Sequence, residues 1–286
     1  MSVQADTNIL AAAQRSESDD RARAKKFAIR RRRRQMTINV VIRLLSLIAV
    51  LTLWQIFGAK IDQTLFTTPA AITRAAVDMI ASGELWNYLA PSLIVLLIGL
   101  SMAVVVGILI GVLLARYWLL DLALGVYITF LYSIPSVALV PLIVLWAGFD
   151  ISAKVIILFL FAFFPMTINT YQGVKNVDHK LLEVGRSFRC SERQLWTNII
   201  LPGALPFIIT GLRLAIGRGL IGMVLADLYT AISGIGYLIV RTASTYEVDK
   251  MFVPIVTLGL LGVTLTAGVR FLETRVAPWT KAGEPE

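Results

Sequence analysis

The chain has 286 residues, 57% hydrophobic and only 16% charged, with a formal net charge of +9. A soluble domain carries about 25% charged residues, whereas apolar runs here recur at about 20 residues, the length that crosses a bilayer. The composition excludes an ordinary soluble domain. The single cysteine, Cys190, excludes an intrachain disulfide, and the single histidine, His179, excludes a histidine-based metal cluster. The lack of a G-x-x-x-x-G-K-[ST] loop excludes P-loop ATP hydrolysis by this chain.

Residues 1–38 read as a polar tail that closes on the arginine run Arg30–Arg34. No small-residue cleavage site follows a short apolar core, so a retained tail is expected rather than a cleaved signal peptide. Two readings of it stay open, a basic arm on an anionic leaflet and an unstructured segment that fixes topology. Residues 39–278 read as a transmembrane domain with apolar segments near 40–58, 89–115, 122–147, 153–171, 204–231 and 252–274, and residues 279–286 as a C-terminal tail. With the N-terminus in the cytoplasm, 20 Lys and Arg fall on the inner side and five (Lys60, Arg74, Lys154, Arg241 and Lys250) on the outer. That asymmetry places both termini in the cytoplasm. The positive charge reports orientation, and no nucleic-acid partner is expected.

In the loop 59–88, Thr68 reads as a helix cap with Pro69 at the first helical position, and Ile72, Ala76, Met79 and Ile80 share a face. A short amphipathic helix against the bundle follows. In the second span Gly99, Ala103, Gly107, Gly111 and Ala115 recur every fourth residue, and in the fifth Gly211, Ala215 and Gly219 do the same. Such stripes let helix backbones approach closely in lipid. Pro135 and Pro141 interrupt the third span; a broken helix along a transport pathway and a plain structural kink are both consistent with them.

Three charges fall within the fifth span. Arg213 is close enough to the inner side to snorkel. Arg218 falls near the midplane, where a charge costs roughly 2.5–3.5 kcal/mol. It shares a face with Gly211 and Gly222, which turns it to a helix interface or a cavity. It is a candidate pathway residue favouring anions, with pairing to a backbone carbonyl or another helix's polar group as the alternative. Asp227 is a candidate for the outer mouth.

Between the fourth and fifth spans lies "LLEVGRSFRCSERQLWTNIILPGALP", Leu181 to Pro206. Leu181, Leu182, Gly185 and Phe188 share one face of a first helix. "SERQ" reads as a capping box, with Ser191 at the N-cap and Gln194 reaching back. Leu195, Trp196 and Ile199 face one way on a second helix, which Pro202 and Pro206 are expected to break. Two short amphipathic helices on the cytoplasmic side suit docking into a partner's groove.

The spacing of Glu183-Val184-Gly185, Arg189 and Ile199-Ile200-Leu201-Pro202 matches the E-A-A-x3-G-x9-I-x-L-P motif of ABC-importer permeases. "LPGALPFIITGLRLAIG", "LADLYTAISGIGYLI" and "IPSVALVPLIVLWAGFDISAK" resemble the taurine, alkanesulfonate and nitrate branch, and the likeness covers roughly residues 60–280. The resemblance implies an all-α integral membrane protein with six transmembrane helices, of the type I ABC importer permease fold, with a cytoplasmic coupling helix at about 178–203. It implies a homodimer in a bacterial inner membrane, two cytoplasmic ATPase subunits that bind ATP and Mg, and an external solute-binding protein. The chain itself would be no enzyme and hold no cofactor or metal. Glu183 and Gly185 fall on motif positions. Arg186, Arg189, Ser191, Glu192, Arg193 and Gln194 would supply the surface docked on the ATPase, and Pro202 closes the motif. Arg189 stands where the family keeps glycine, so either arginine accepts a left-handed backbone or the turn differs. The implied substrate is a small anion of the sulfonate, taurine or nitrate type. An aromatic or other organic acid, bicarbonate and a neutral heterocycle remain alternatives. A secondary transporter would need coupling-ion carboxylates in the spans, of which Asp227 is the clear one. A membrane-embedded enzyme would need clustered His, Asp or Glu.

Overall fold

The structure is a computed structural model that describes residues 34–62 and 64–277. Of the tail read from the sequence as 1–38, residues 1–33 therefore lie outside the described residues, as does the whole C-terminal tail 279–286. The chain divides into two compact units, Met1–Ile61 and Asp62–Glu286. The described part of the first is helix α1 (Arg34–Gly58), apolar enough to span a bilayer. It takes in residues 34–38, which the sequence assigns to the tail. Leu44, Leu47, Ile48 and Leu51 are exposed along it, a surface suited to lipid.

In the second unit α2 (Pro69–Ala81) and α3 (Glu84–Arg116) come first. α4 (Trp118–Ser133), α5 (Ser136–Ala147) and α6 (Ile151–Lys175) follow. Two short helices, α7 (His179–Ser187) and α8 (Glu192–Leu195), then lead through a π-helical turn (Trp196–Ile200) into α9 (Leu201–Thr230). α10 (Ile235–Ser244) and α11 (Val248–Val276) complete it. All described elements are helical. Five helices are long and apolar enough to span, and α4 with α5 makes up to a sixth as one bent pair.

α6 is the centre of the bundle, packed along its length by α3 on one side and α9 on the other. The small-residue stripes mediate this. Gly99, Ala103, Gly107 and Gly111 are all buried, as are Gly211, Ala215 and Gly219. The tightest point of these stripes is Gly111, where an added Cβ would stand 2.7 Å from the Thr167 carbonyl oxygen and 2.7 Å from Thr170 Cβ. α11 packs against α9, α10 and α2.

Four features differ from the sequence expectation. The third span is two helices at 97°. The whole break falls at Ile134–Pro135, because a residue before proline leaves the helical region, and Ile134 is extended at ψ 131. Pro141, expected to interrupt as well, sits inside α5 without ending it. Pro202 and Pro206 do not break the chain either: Glu192–Thr230 runs as one 39-residue helical stretch. The π-turn just before Pro202 is where the ladder widens, with Leu201 N–H bonded to the Trp196 carbonyl five residues back. Helix α2 is capped by Thr68 Oγ1 on Ala71 N–H, 3.3 Å, as its sequence indicates, but its buried face is Ile72, Ala75 and Met79 while Ile80 is exposed. Finally, α10 lies between the apolar segments 204–231 and 252–274, outside every element read from the sequence.

Gly111→Val is expected to cost about 1–3 kcal/mol by overpacking, because the obstructing atom is backbone. Gly217→Ala, where a Cβ meets nothing within 4 Å, should leave stability unchanged or slightly raised. Thermal melting of the two purified variants followed by size-exclusion chromatography checks the contrast.

Candidate functional site

The polar segment is a rigid, doubly capped unit. The Asp178 carboxylate accepts the Lys180 N–H at 2.9 Å and starts α7. α7 ends in a Schellman arrangement, with Cys190 N–H bonded to the Gly185 carbonyl at 3.0 Å and Arg189 N–H to the Arg186 carbonyl at 2.8 Å. The residue this geometry puts in the left-handed region is Arg189, at φ 54. Arginine thus adopts the conformation that glycine takes more cheaply. The capping box forms as expected. Gln194 N–H donates to Ser191 Oγ at 3.3 Å, and Ser191 N–H donates to Gln194 Oε1 at 2.8 Å.

Gly185 is the buried residue of α7, and an added Cβ would meet Leu195 Cδ2 at 2.6 Å and Ile199 Cδ1 at 2.8 Å. The helix therefore lies on α8 and the π-turn through its glycine. The face expected to be apolar divides: Gly185 packs inward, whereas Leu181 and Phe188 are exposed, with Val184 beside them. Phe188 is 80% exposed. Glu183, Arg186, Glu192, Arg193 and Gln194 are exposed as well, and Pro202 lies in the first turn of α9. Arg116, at the end of α3, places its guanidinium 4.9 Å from the centre of the Trp196 ring and ties the segment to the bundle.

The charges inside the bundle follow a different logic. Asp227 is fully buried, not at an open mouth. Its Oδ1 accepts from Lys154 Nζ at 2.8 Å and its Oδ2 from Ser92 Oγ at 2.6 Å. Ser92 Oγ in turn accepts the Ile235 N–H at 2.8 Å, and Lys154 Nζ also donates to the Ser233 carbonyl at 2.6 Å. Lys154, placed on an outer segment by charge counting, belongs to α6 and is 4% exposed. The network joins α3, α6 and α9 to the 231–234 turn and the start of α10. Gly234, at φ 102, is required there, because a Cβ would run into the Asp227 carboxylate. Sequence reasoning missed Lys154 and Ser92 as partners, since neither has a local signature pointing to Asp227.

Arg218 is exposed and leans across to α4. Its guanidinium lies 5.4 Å from the centre of the Tyr132 ring, and Nη2 donates to Tyr132 Oη at 3.4 Å. Pro135 begins the segment that α5 continues, three residues beyond Tyr132. Arg213 pairs with Glu273 at 2.9 Å. Asp121, in the first turn of α4, accepts from Lys175 Nζ and Tyr171 Oη at 3.0 Å each. Asp121 and Glu273 are therefore carboxylates within helices, beyond the one expected. No group of three or more metal-ligating side chains occurs among the described residues.

The described residues thus form a multi-span helical bundle with a buried ion pair and a structured polar segment between two spans. Residues 103–278 match the family of binding-protein-dependent transport system inner membrane components, and the chain belongs to that family. It is 33% identical over 237 residues to the putative aliphatic sulfonates transport permease SsuC of Bacillus subtilis strain 168, covering 82% of this chain and 86% of that one. It is 32% identical over 240 residues to the formylaminopyrimidine transport permease ThiX of Halalkalibacterium halodurans, covering 83% and 95%. It is 29% identical over 253 residues to the taurine transport permease TauC of Escherichia coli K12, covering 86% and 90%. An inward-facing structure of the MetNI methionine ABC transporter superposes with TM-score 0.54 at 18% identity, covering 67% of this chain and 95% of that chain. The fold is that of a type I ABC importer permease, and the chain is an importer permease subunit.

Lys154→Met should destabilise by about 3–5 kcal/mol, because it leaves the Asp227 carboxylate buried and unpaired. The double variant Lys154→Met with Asp227→Leu should recover most of that loss. A double-mutant cycle on melting temperature measures the recovery.

Proposed function

We propose that this permease imports a small anion of the sulfonate or taurine type, driven by two cytoplasmic ATPase subunits that grip the 178–203 segment. The observation that carries the coupling reading is α7: its ends are fixed by caps, its glycine packs inward, and Leu181, Val184 and Phe188 stand exposed at helical spacing. An apolar stripe of this kind is the form in which a helix enters a partner's groove. Glu183, Arg186, Arg189, Ser191, Glu192, Arg193 and Gln194 surround the stripe as its polar rim. In this reading Met1 and the C-terminus face the cytoplasm, two copies of the chain form the pathway, and a solute-binding protein delivers cargo on the outer side. ATP and Mg are held by the partner subunits.

The similarity to an aliphatic sulfonates permease and a taurine permease supports the anion, and that to a formylaminopyrimidine permease supports a heterocycle as the second reading. Arg218, a cation deep in α9, favours the anion. It would line the pathway beside the Pro135 break, with Pro141 in the following helix.

Two measurements test this. In a Cys190→Ser background, single cysteines at positions 188, 189, 191, 192 and 193 should crosslink to the cognate ATPase subunit. Phe188→Asp should abolish co-isolation of that ATPase without altering the permease's melting. If every position fails to crosslink, the docking reading falls. For the cargo, calorimetry on the cognate solute-binding protein with taurine, alkanesulfonates, nitrate, bicarbonate, aromatic carboxylates and a formylaminopyrimidine should give its tightest binding to a sulfonate. Preference for the pyrimidine would move the assignment to the second reading.

A further inference from the structure

The cations of α6 and α9 are Lys154, Lys175, Arg213 and Arg218. Lys154 meets Asp227, Lys175 meets Asp121 and Arg213 meets Glu273. Arg218 meets no carboxylate among the described residues. Its polar contact is the Tyr132 hydroxyl, at a long 3.4 Å, and its planar group lies by the Tyr132 ring at 5.4 Å. Within an apolar span a counter-charge would be worth more than in water, because Coulombic attraction strengthens as the dielectric falls.

Tyr132 is itself held. Its ring packs on that of buried Phe164 of α6, with centroids 6.2 Å apart. It also lines a cleft of about 890 Å³ between α4 and α6, together with Thr129, Ser133 and Thr167. The cleft wall also carries Asp121, Tyr171 and Gln172, with the Asp121 carboxylate held by Lys175 and Tyr171; near Tyr132 its polar groups are hydroxyls, and the guanidinium reaches the Tyr132 phenol from α9.

We propose that Arg218 and Tyr132 together form one anion-selecting subsite, which takes a tetrahedral or planar oxyanion such as a sulfonate. The guanidinium supplies the charge and several N–H donors in a fixed fork. The ring restrains that fork by a cation–aromatic contact. The phenol O–H, which accepts from Arg218 in this structure, turns to donate to an anion oxygen when one is bound, so the two donors converge on one ligand. Tyr132 is on this view a specificity-determining residue that sequence reading does not reveal, since it pairs with a residue 86 positions away. The inference rests on the importer reading above and adds the residue pair that discriminates charge.

The probe is triflate, a fluorinated sulfonate followed by 19F NMR line broadening on the purified full-length permease, with trifluoroethanol as its neutral control. Wild-type protein should broaden triflate saturably. Arg218→Gln should weaken that binding about tenfold or more, as loss of a charged hydrogen-bond donor predicts. Tyr132→Phe, which keeps the ring and its packing, should weaken it about three- to fivefold, in line with loss of a neutral donor. Arg218→Lys should fall between wild type and Arg218→Gln, because it keeps the charge without the fork. Arg213→Gln should bind as wild type does, and trifluoroethanol should respond alike in all five proteins. No triflate binding by wild type, or wild-type affinity in Arg218→Gln or Tyr132→Phe, overturns the subsite. If the ATPase still crosslinks to the 188–193 segment in that case, the importer reading stands and the subsite alone falls.

Discussion

The arrangement depends on how closely α3 and α9 approach α6. Lipid is as apolar as the side chains, so burial of apolar surface drives helix association weakly and close packing carries more of it. At Gly111 the facing atom is the Thr167 backbone oxygen, which has no rotamer to change. Gly222 meets Phe161, with an added Cβ 2.9 Å from its ring carbon, on the other side of the same helix. With both flanks in contact with its backbone or ring surfaces, α6 has little room to slide. That is the condition under which polar groups at its two ends can find fixed partners. Lys154 near one end reaches Asp227, and Tyr171 and Lys175 near the other reach Asp121.

The long helical stretch from Glu192 to Thr230 relates those ends to the polar segment between the spans. At ~1.5 Å per residue its 39 residues extend about 58 Å. It begins at the capping box, passes through the π-turn and carries Asp227 in its last turn. A helix interrupted at Pro202 and Pro206, as the sequence suggests, would have absorbed a push on α8 as bending. The stretch instead runs on as one helix, and the π-turn is the place where its hydrogen-bond ladder widens. The Ser92–Asp227–Lys154 network anchors its far end.

The regular parts of the fold were legible in the sequence because their signals are local and periodic. The four-residue stripe from Gly99 to Gly111, the Thr68–Pro69 helix start and the Ser191–Gln194 capping box each lie within a few turns, and the structure shows them all. The break expected at Pro135 is present, whereas those expected at Pro141, Pro202 and Pro206 are absent, for a physical reason. Proline removes one donor and crowds one carbonyl, but whether the helix then breaks depends on local relief. The π-turn gives that relief before Pro202, whereas Pro135, with an extended residue ahead of it, has none. α10 was missed because its ten residues are too short for a spanning signal, and its position is set by Ile235 and Gly236 N–H groups bonded to Ser92 and Asp227. Long-range pairs such as Ser92 with Asp227, 135 residues apart, leave no trace in spacing.

Asp227 and Arg218 show why depth alone does not assign a role to a charge. They lie nine residues apart on one helix, about 13 Å along its axis, and both are costly in a bilayer. Asp227 is neutralised by Lys154 and has its second oxygen occupied by Ser92, so nothing remains with which to hold a solute. Its charge is spent on joining four elements. Among the described residues Arg218 is met by a phenol, whose dipole is a weak substitute for a counter-ion. The helix thus sets a fully paired structural charge at Asp227 apart from an exposed one at Arg218, so that a partner met by Arg218 need not disturb the clamp at Asp227.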